Sequence, residues 1–423
     1  MTNVPIASWF PEAQLGIFVH WGIFSVDGVA ESWSFFDGRV PYADYMAQID
    51  RFTASAFDAD AWAELFERAG ATYAVLTTKH HDGVALYDTQ VNDLSVVKQA
   101  PAGRDLVAEF VEAVRRRGLK VGLYFSHLDW SHPDYATVRP AVQHPSVQDN
   151  PYAVPRPGEE DPERWERYLE FHRAQIRELV TRFEPDLLWF DGEWERDERQ
   201  WRMRELRAEL RELAPEMVVN GRMLGHGDYV TPEQGVPVEP PDGPWELCLT
   251  INDSWGWQPQ DHNHKSPRQI VRTFVETIGG GGNLLLDVGP REDGTITPEQ
   301  TERLEALGAW VSRHSPAVRG IRRGLPHGHF YGPSAVSDDG RTLFLYVLDR
   351  PNDYVVVRGL RNQVLKAYVL GTGTELEHQR IGGLHEVPGW EYVFTTDDDL
   401  DPLCTVIALE LDGEVSVHRP HED

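Results

Sequence analysis

Short apolar runs alternate with longer amphipathic stretches through most of this chain. Runs at 16–22, 73–79, 120–126, 185–191, 217–222, 245–251 and 283–290 read as buried strands. Between them, 57–70 has Trp62, Leu65, Phe66 and Ala69 at helical spacing and closes on Gly70. Leu106, Phe110, Val111 and Val114 mark a second helix over 105–117, and 164–183, 198–213 and 266–278 read the same way. Thr297 caps a last helix running to about residue 315, with Pro298 its first helical residue and Gln300 its reciprocal capping partner. Strands alternating with helices predict a parallel sheet. Polar residues gather at strand C-terminal ends: His20, His80, His81, Asp191 and Arg222. That placement favours an α/β fold of the TIM-like β/α barrel type, whose sites lie at that face. A doubly wound sheet is the alternative, but the glycines at 279–282 follow a helix and precede a strand, the reverse of a dinucleotide loop.

The texture changes after Gly324. Strands at 343–348, 355–357, 364–370, 392–394 and 406–411 are separated by turn residues, with no amphipathic helix between them. This predicts a C-terminal antiparallel β-sandwich. The expected organisation is a barrel over 1–324, a sandwich over 325–413 and a loose polar tail over 414–423. A Pro-rich excursion over 132–162 reads as a long surface loop.

Charge narrows the partners. A net charge of −28 disfavours nucleic acid and anionic membrane surfaces. No apolar run approaches the ~20 residues of a membrane span. Residues 1–9 lack a basic segment followed by an apolar run, so a cytoplasmic location is expected, with secretion of a processed form left open. Cys248 and Cys404 form no metal motif and require no disulfide. The oligomeric state, a homo-oligomer included, stays open.

The candidate chemistry centres on Trp189-Phe190-Asp191-Gly192. Alternation along a strand points Trp189 and Asp191 the same way, and Gly192 lets the chain turn. Asp191 as a helix cap is the plain reading; as a catalytic carboxylate it needs company. A divalent metal is one idea, disfavoured because His80 and His81, adjacent on extended chain, should point apart. No metal or other cofactor is expected. Carbohydrate chemistry is the other. Trp21, Trp33, Trp130, Trp189, Trp194, Trp255 and Trp257 all fall at strand ends or just after them, where indoles could meet sugar C–H faces. Glycoside hydrolysis requires two carboxyl groups.

At this point the chain resembles the α-L-fucosidases of glycoside hydrolase family twenty-nine. The matching segments are 16–22, 79–83, 122–126, 189–192, Asn220-Gly221-Arg222, Trp245-Glu246, Ser254-Trp255-Gly256-Trp257 and 282–290. The resemblance implies a barrel followed by a sandwich, and an exo-acting enzyme that releases terminal α-L-fucosyl residues with retention through a covalent glycosyl-enzyme. Its substrate would be a fucosylated oligosaccharide or glycoconjugate. It makes Asp191 the nucleophile and puts His20, His80, His81, Tyr124, Trp189, Arg222 and Trp255 around the sugar. Glu31 and Trp33 look like the family's Glu-Trp contact, with Ser32 intervening.

The acid/base is not fixed by one motif. Glu233 lies in Thr231-Pro232-Glu233-Gln234, which repeats the helix-start signature of 297–300. Gly235, Pro237, Pro240 and Pro241 follow, so that helix cannot continue and Glu233 becomes a loop residue. Glu246 is the alternative, on a strand where Arg222 could be its partner. Other readings are a related α-L-galactosidase-like enzyme, a sugar-binding protein without catalysis, and a metal-dependent hydrolase.

Overall fold

The computed structural model describes residues 6–135, 161–383 and 388–418. Residues 136–160 of the expected excursion therefore lie outside the described residues.

Seven parallel strands form one sheet: β1 (Leu15–Val19), β2 (Tyr73–Lys79), β3 (Lys120–Ser126), β4 (Leu187–Asp191), β5 (Val218–Val219), β6 (Glu246–Thr250) and β7 (Asn283–Val288). Their order is β5-β4-β3-β2-β1-β7-β6. All seven are almost wholly buried, as strands covered on both faces should be. The two edge strands, β5 and β6, are joined by an extended segment. Asn220 bridges Tyr229, Val230 bridges Trp245 and Glu233 bridges Cys248, all parallel. The Thr-Pro-Glu-Gln of 231–234 thus lies along the sheet, without a helix.

The helices begin where their caps stand. Asp58 accepts from the Ala61 N–H ahead of Ala59–Arg68, and Asp105 from the Ala108 N–H ahead of Leu106–Arg116. Ser266 and Gln269 form a full capping box for Pro267–Gly279. At the last barrel helix, Pro298–Arg313, Thr297 caps as expected, but Gln300 is not its reciprocal partner. Gln300 is buried and its amide faces the Gly289 backbone.

Two other expectations are corrected. The helix expected over 198–213 breaks at Arg202, which adopts a left-handed φ of 52° between Glu198–Trp201 and Met203–Leu213. Arg173 donates to the carbonyls of Trp201 and Arg202 and so satisfies the broken turn. The strand expected over 217–222 is only Val218–Val219. Beyond it the Asn220 side chain takes over the pairing: it accepts from Phe190 N–H and donates to Phe190 C=O, both at 2.8 Å.

The C-terminal region is antiparallel. One sheet has the order β12-β15-β10-β9-β8 and another β11-β14-β13, formed by β8 (Ile321–Arg323), β9 (Ser334–Ser337), β10 (Thr342–Val347), β11 (Tyr354–Val357), β12 (Val364–Val369), β13 (His378–Ile381), β14 (Trp390–Phe394) and β15 (Thr405–Leu411). Val355, Val357 and Val393 from one sheet and Leu343, Leu345, Ile407 and Leu409 from the other share a core. The arrangement agrees with the α/β barrel and sandwich expected from the pattern. Residues 414–418 are not loose. Asn362 donates to the Glu414 carbonyl and Arg361 N–H to the Ser416 carbonyl.

Candidate active site

The strand ends converge on a cavity of about 310 Å³, a volume in keeping with one sugar ring. Phe18, His20, Glu31, Trp33, His80, Tyr124, Trp189, Asp191, Trp194, Arg222, Glu233, Cys248 and Trp255 line it. A larger cavity, about 390 Å³, lies between the helix Pro267–Gly279 and the β8–β10 region. Its carboxylates, Glu276 and Asp349, both pair with the exposed Arg272. The smaller cavity has the convergent buried titratable groups that chemistry needs.

Asp191 ends β4, in register with Ser126 at the end of β3. Tyr124 and Trp189 are register partners two residues back, with rings 5.7 Å apart and nearly parallel. Tyr124 donates its hydroxyl to Asp191 Oδ2 at 2.9 Å. Burial, and then the Asp191 charge, push the Tyr124 phenol well above its usual range, so it remains a donor. Arg222 donates to Asp191 Oδ1 at 2.8 Å and to Glu233 Oε2 at 2.5 Å. Burial works against the Arg222 cation, but the Asp191 charge and the Glu233 contact more than compensate and raise it. Its guanidinium lies over the Trp189 ring at 4.9 Å.

Of three buried histidines at the site, His20 and His80 line the cavity, and His81 stands behind it with Nε2 3.7 Å from Asp191 Oδ2. The rings of His80 and His81 do not point apart; they lie 4.1 Å from each other. The strand has already ended at Lys79, after a register shift between Thr77 and Lys79. A turn closed by Gly83 N–H to His80 C=O then brings both rings to one side. His80 Nδ1 meets Ser32 Oγ and His81 Nδ1 meets Ser126 Oγ, each at 2.6 Å. His20 Nδ1 lies 2.6 Å from Asp287 Oδ1. Burial pushes all three imidazoles well below the usual histidine range, which keeps them neutral.

Glu31 and Trp33 both reach the cavity because Ser32 between them takes a φ of 44°. Tyr45 holds that conformation by accepting the Ser32 N–H at 2.9 Å. Burial pushes the Glu31 carboxyl up to about 7, opposed by the Gly256 N–H. Four of the seven strand-end tryptophans, Trp33, Trp189, Trp194 and Trp255, line the cavity. Trp21 packs against Phe52, Phe57 and Trp62, and Trp130 stacks on Phe36. Trp257 faces a separate polar cavity.

Glu246 is not in the cavity and is not bonded to Arg222. It is fully buried beneath it and accepts from Tyr73, Trp189 and Tyr229. Glu233 does line the cavity, 40% exposed at the side chain.

Sequence reasoning missed Phe18 and Cys248 as lining residues. Phe18 stands two before His20 and Cys248 two after Glu246, so strand alternation could have found both. Trp194, already marked by its place just after a strand end, reaches the cavity from a short 3₁₀ turn after Gly192. Among the described residues, ligand atoms of His80, His81 and Asp191 lie within 4.8 Å of one another. Both Asp191 oxygens already accept from Arg222 and Tyr124, and the adjacent guanidinium opposes a cation there.

Comparison with known proteins closes on one group. The family profile described as alpha-L-fucosidase matches residues 1–316. The tissue alpha-L-fucosidase of Bos taurus is 36% identical over 74% of this chain and 69% of its own length. That of Homo sapiens is 34% identical over 74% and 69%. Among solved structures, alpha-L-fucosidase isoenzyme 1 from Paenibacillus thiaminolyticus superposes with a TM-score of 0.85 at 33% identity, covering 96% of this chain and 98% of that one. A Bacteroides thetaiotaomicron alpha-L-fucosidase, solved as a trapped covalent intermediate with 2-fluoro-fucosyl fluoride, gives 0.82 at 26% identity over 95% and 94%.

Proposed function

The chain belongs to the α-L-fucosidase family of glycoside hydrolases, and from that premise we propose that it is an exo-acting retaining enzyme that removes terminal α-L-fucosyl residues by double displacement. Asp191 is the nucleophile and Glu233 the acid/base. The observation that carries this reading is the single guanidinium of Arg222 spanning both carboxylates at the cavity wall. It holds two carboxyl groups at one sugar-sized space, which is what glycoside hydrolysis requires; retention is taken from the family.

In the first step an Asp191 oxygen forms a bond to the anomeric carbon. The bond to the leaving oxygen breaks, and the Glu233 proton goes to that oxygen. The Glu233 contact with Arg222 must then be exchanged for the leaving group when substrate enters. In the second step Glu233 takes a proton from water, the water oxygen bonds to the anomeric carbon, and the bond to Asp191 breaks. Tyr124 and Arg222 support the carboxylate of Asp191 before attack and on departure. Neutral His20, His80 and His81 suit sugar hydroxyls, and Trp33, Trp189 and Trp255 suit the apolar ring face and methyl group. The substrate is a fucosylated oligosaccharide or glycoconjugate, with the remainder of the glycan outside the cavity.

Asp191→Ala should lose turnover, with added azide restoring part of it as a glycosyl azide. Glu233→Ala should lose far more activity on fucosides with poor leaving groups than on aryl fucosides. Wild-type turnover in Asp191→Ala, or equal losses across leaving groups in Glu233→Ala, would refute the respective role.

A further inference from the structure

One carboxyl group close to the site takes no part in the double displacement. Glu246 Oε1 accepts from Trp189 Nε1 at 2.8 Å and from the Tyr229 hydroxyl at 3.1 Å, and Oε2 accepts from the Tyr73 hydroxyl at 2.6 Å. The donors come from β4, from the segment that joins β5 to β6, and from β2. Glu246 has no exposure and no cation within hydrogen-bonding distance among the described residues. A barrel interior is ordinarily filled with branched apolar side chains, so a carboxyl there is costly unless its directional bonds do something.

The indole is where those bonds lead. Trp189 has one polar atom, and Glu246 holds it. One neighbour of the ring is Tyr124 and another is the Arg222 guanidinium, and these are the two donors to Asp191. Tilting the indole would displace both. We propose that Glu246 is a positioning residue: by fixing the Trp189 N–H it sets the plane of the indole, and through it the placement of Tyr124 and Arg222 around Asp191. The proposal rests on Asp191 being the nucleophile.

A general-acid role fits this geometry poorly, because both Glu246 oxygens are occupied and the residue lies below the cavity it would have to reach. A purely architectural role would change stability and leave turnover alone. Positioning predicts a third behaviour. An amide at this place keeps an acceptor for the indole, while a tyrosine hydroxyl can accept from its NH₂.

The test uses the full chain with Glu246→Gln, Glu246→Ala and Trp189→Phe, each assayed on an aryl α-L-fucoside and on a fucosyl disaccharide. Glu246→Ala should lower kcat by about 10²-fold, with KM changing by less than about threefold, because the donors are displaced in the transition state. The loss should be equal on both substrates. Glu246→Gln should recover most of kcat. Trp189→Phe, which removes the N–H and shrinks the ring beside Tyr124 and Arg222, should lower kcat in the same way, and the pair with Glu246→Ala should be far from additive.

Wild-type kcat in Glu246→Ala alongside a lowered melting temperature would overturn the proposal in favour of a structural role. A Glu246→Gln loss as deep as that of Glu246→Ala, confined to the disaccharide, would overturn it in favour of a general acid. If Glu246→Ala does not fold, wild-type kcat in Trp189→Phe overturns it, and so does a loss carried by KM, the mark of a lost sugar contact; a lowered kcat with KM within about threefold supports it. Failure of the underlying nucleophile assignment reads differently: it appears as turnover surviving in Asp191→Ala.

Discussion

Arg222 reaches Asp191 with one terminal nitrogen and Glu233 with the other. The planar fork of a guanidinium does this with separate nitrogens at fixed geometry, whereas lysine has a single nitrogen, less far along the side chain, for both carboxylates. Arg222→Lys should therefore behave as a loss of the residue. The expected fall in kcat/KM on an aryl fucoside is about 10²–10³-fold, the usual cost of removing a preorganised charged donor. A lysine variant within threefold of wild type would show that charge alone suffices.

A second prediction concerns one proton. Ser126 donates its hydroxyl to the Leu128 carbonyl at 2.8 Å and also meets His81 Nδ1 at 2.6 Å. The hydroxyl has one hydrogen, so Nδ1 must supply the other. Burial, with Lys79 and Arg222 adding to it, keeps this imidazole neutral. His81 Nε2 is then a bare acceptor, 3.7 Å from Asp191 Oδ2 and without a partner. It is suited to a substrate hydroxyl. Nitrogen-15 NMR at pH 7 should place the His81 proton on Nδ1 in the free enzyme. A proton on Nε2 would reverse the assignment.

How much of this was legible beforehand follows from what kind of signal each residue leaves. Asp191, Trp189, His20 and Tyr124 sit on or just past apolar strands, and period-two alternation fixes their facing. His80 and His81 escaped that logic because a register shift and a turn end the alternation before them. The Asn220 amide replaces a backbone ladder, which no hydrophobic pattern records. The segment 229–233 is polar, Pro-interrupted and paired only through isolated bridges. Its role between β5 and β6 belongs to tertiary packing. Glu246 looked like a rival acid because sequence reveals a strand glutamate without revealing that its three donors lie on other elements.

A buried carboxyl leaves a mark on stability. Burial pushes Glu246 from 4.5 up to about 7, opposed first by the Tyr73 bond and then by those from Trp189 and Tyr229. Between those values the folded state holds a proton that the unfolded chain releases, so the contribution of Glu246 to stability falls as pH rises through this window. The full displacement corresponds to about 3 kcal/mol. Other groups titrate in the same range, but glutamine at 246 cancels them in a difference. The unfolding free energy of wild type minus that of Glu246→Gln should fall by about that amount from pH 4.5 to pH 7.5 in urea titrations. A pH-independent difference would mean that Glu246 titrates in the fold as it does in the unfolded chain.

The last prediction separates two glycines of one loop. At Gly227 an added Cβ would lie 2.1 Å from the Asn220 carbonyl oxygen and 2.7 Å from the Gly221 Cα. These are backbone atoms, so relief requires moving the chain that carries Asn220 and, two residues on, Arg222. At Gly235 an added Cβ would meet nothing within 4 Å. Gly227→Ala should cost about 1–3 kcal/mol of stability, as overpacking does. It should also lower kcat/KM by more than tenfold, because a shift of about 1 Å at a catalytic donor is enough. Gly235→Ala should leave melting temperature and kcat/KM close to wild type, although it stands two residues from Glu233. Equal behaviour of the two variants would show that the close approach of 227 to 220–221 does not set the position of Arg222.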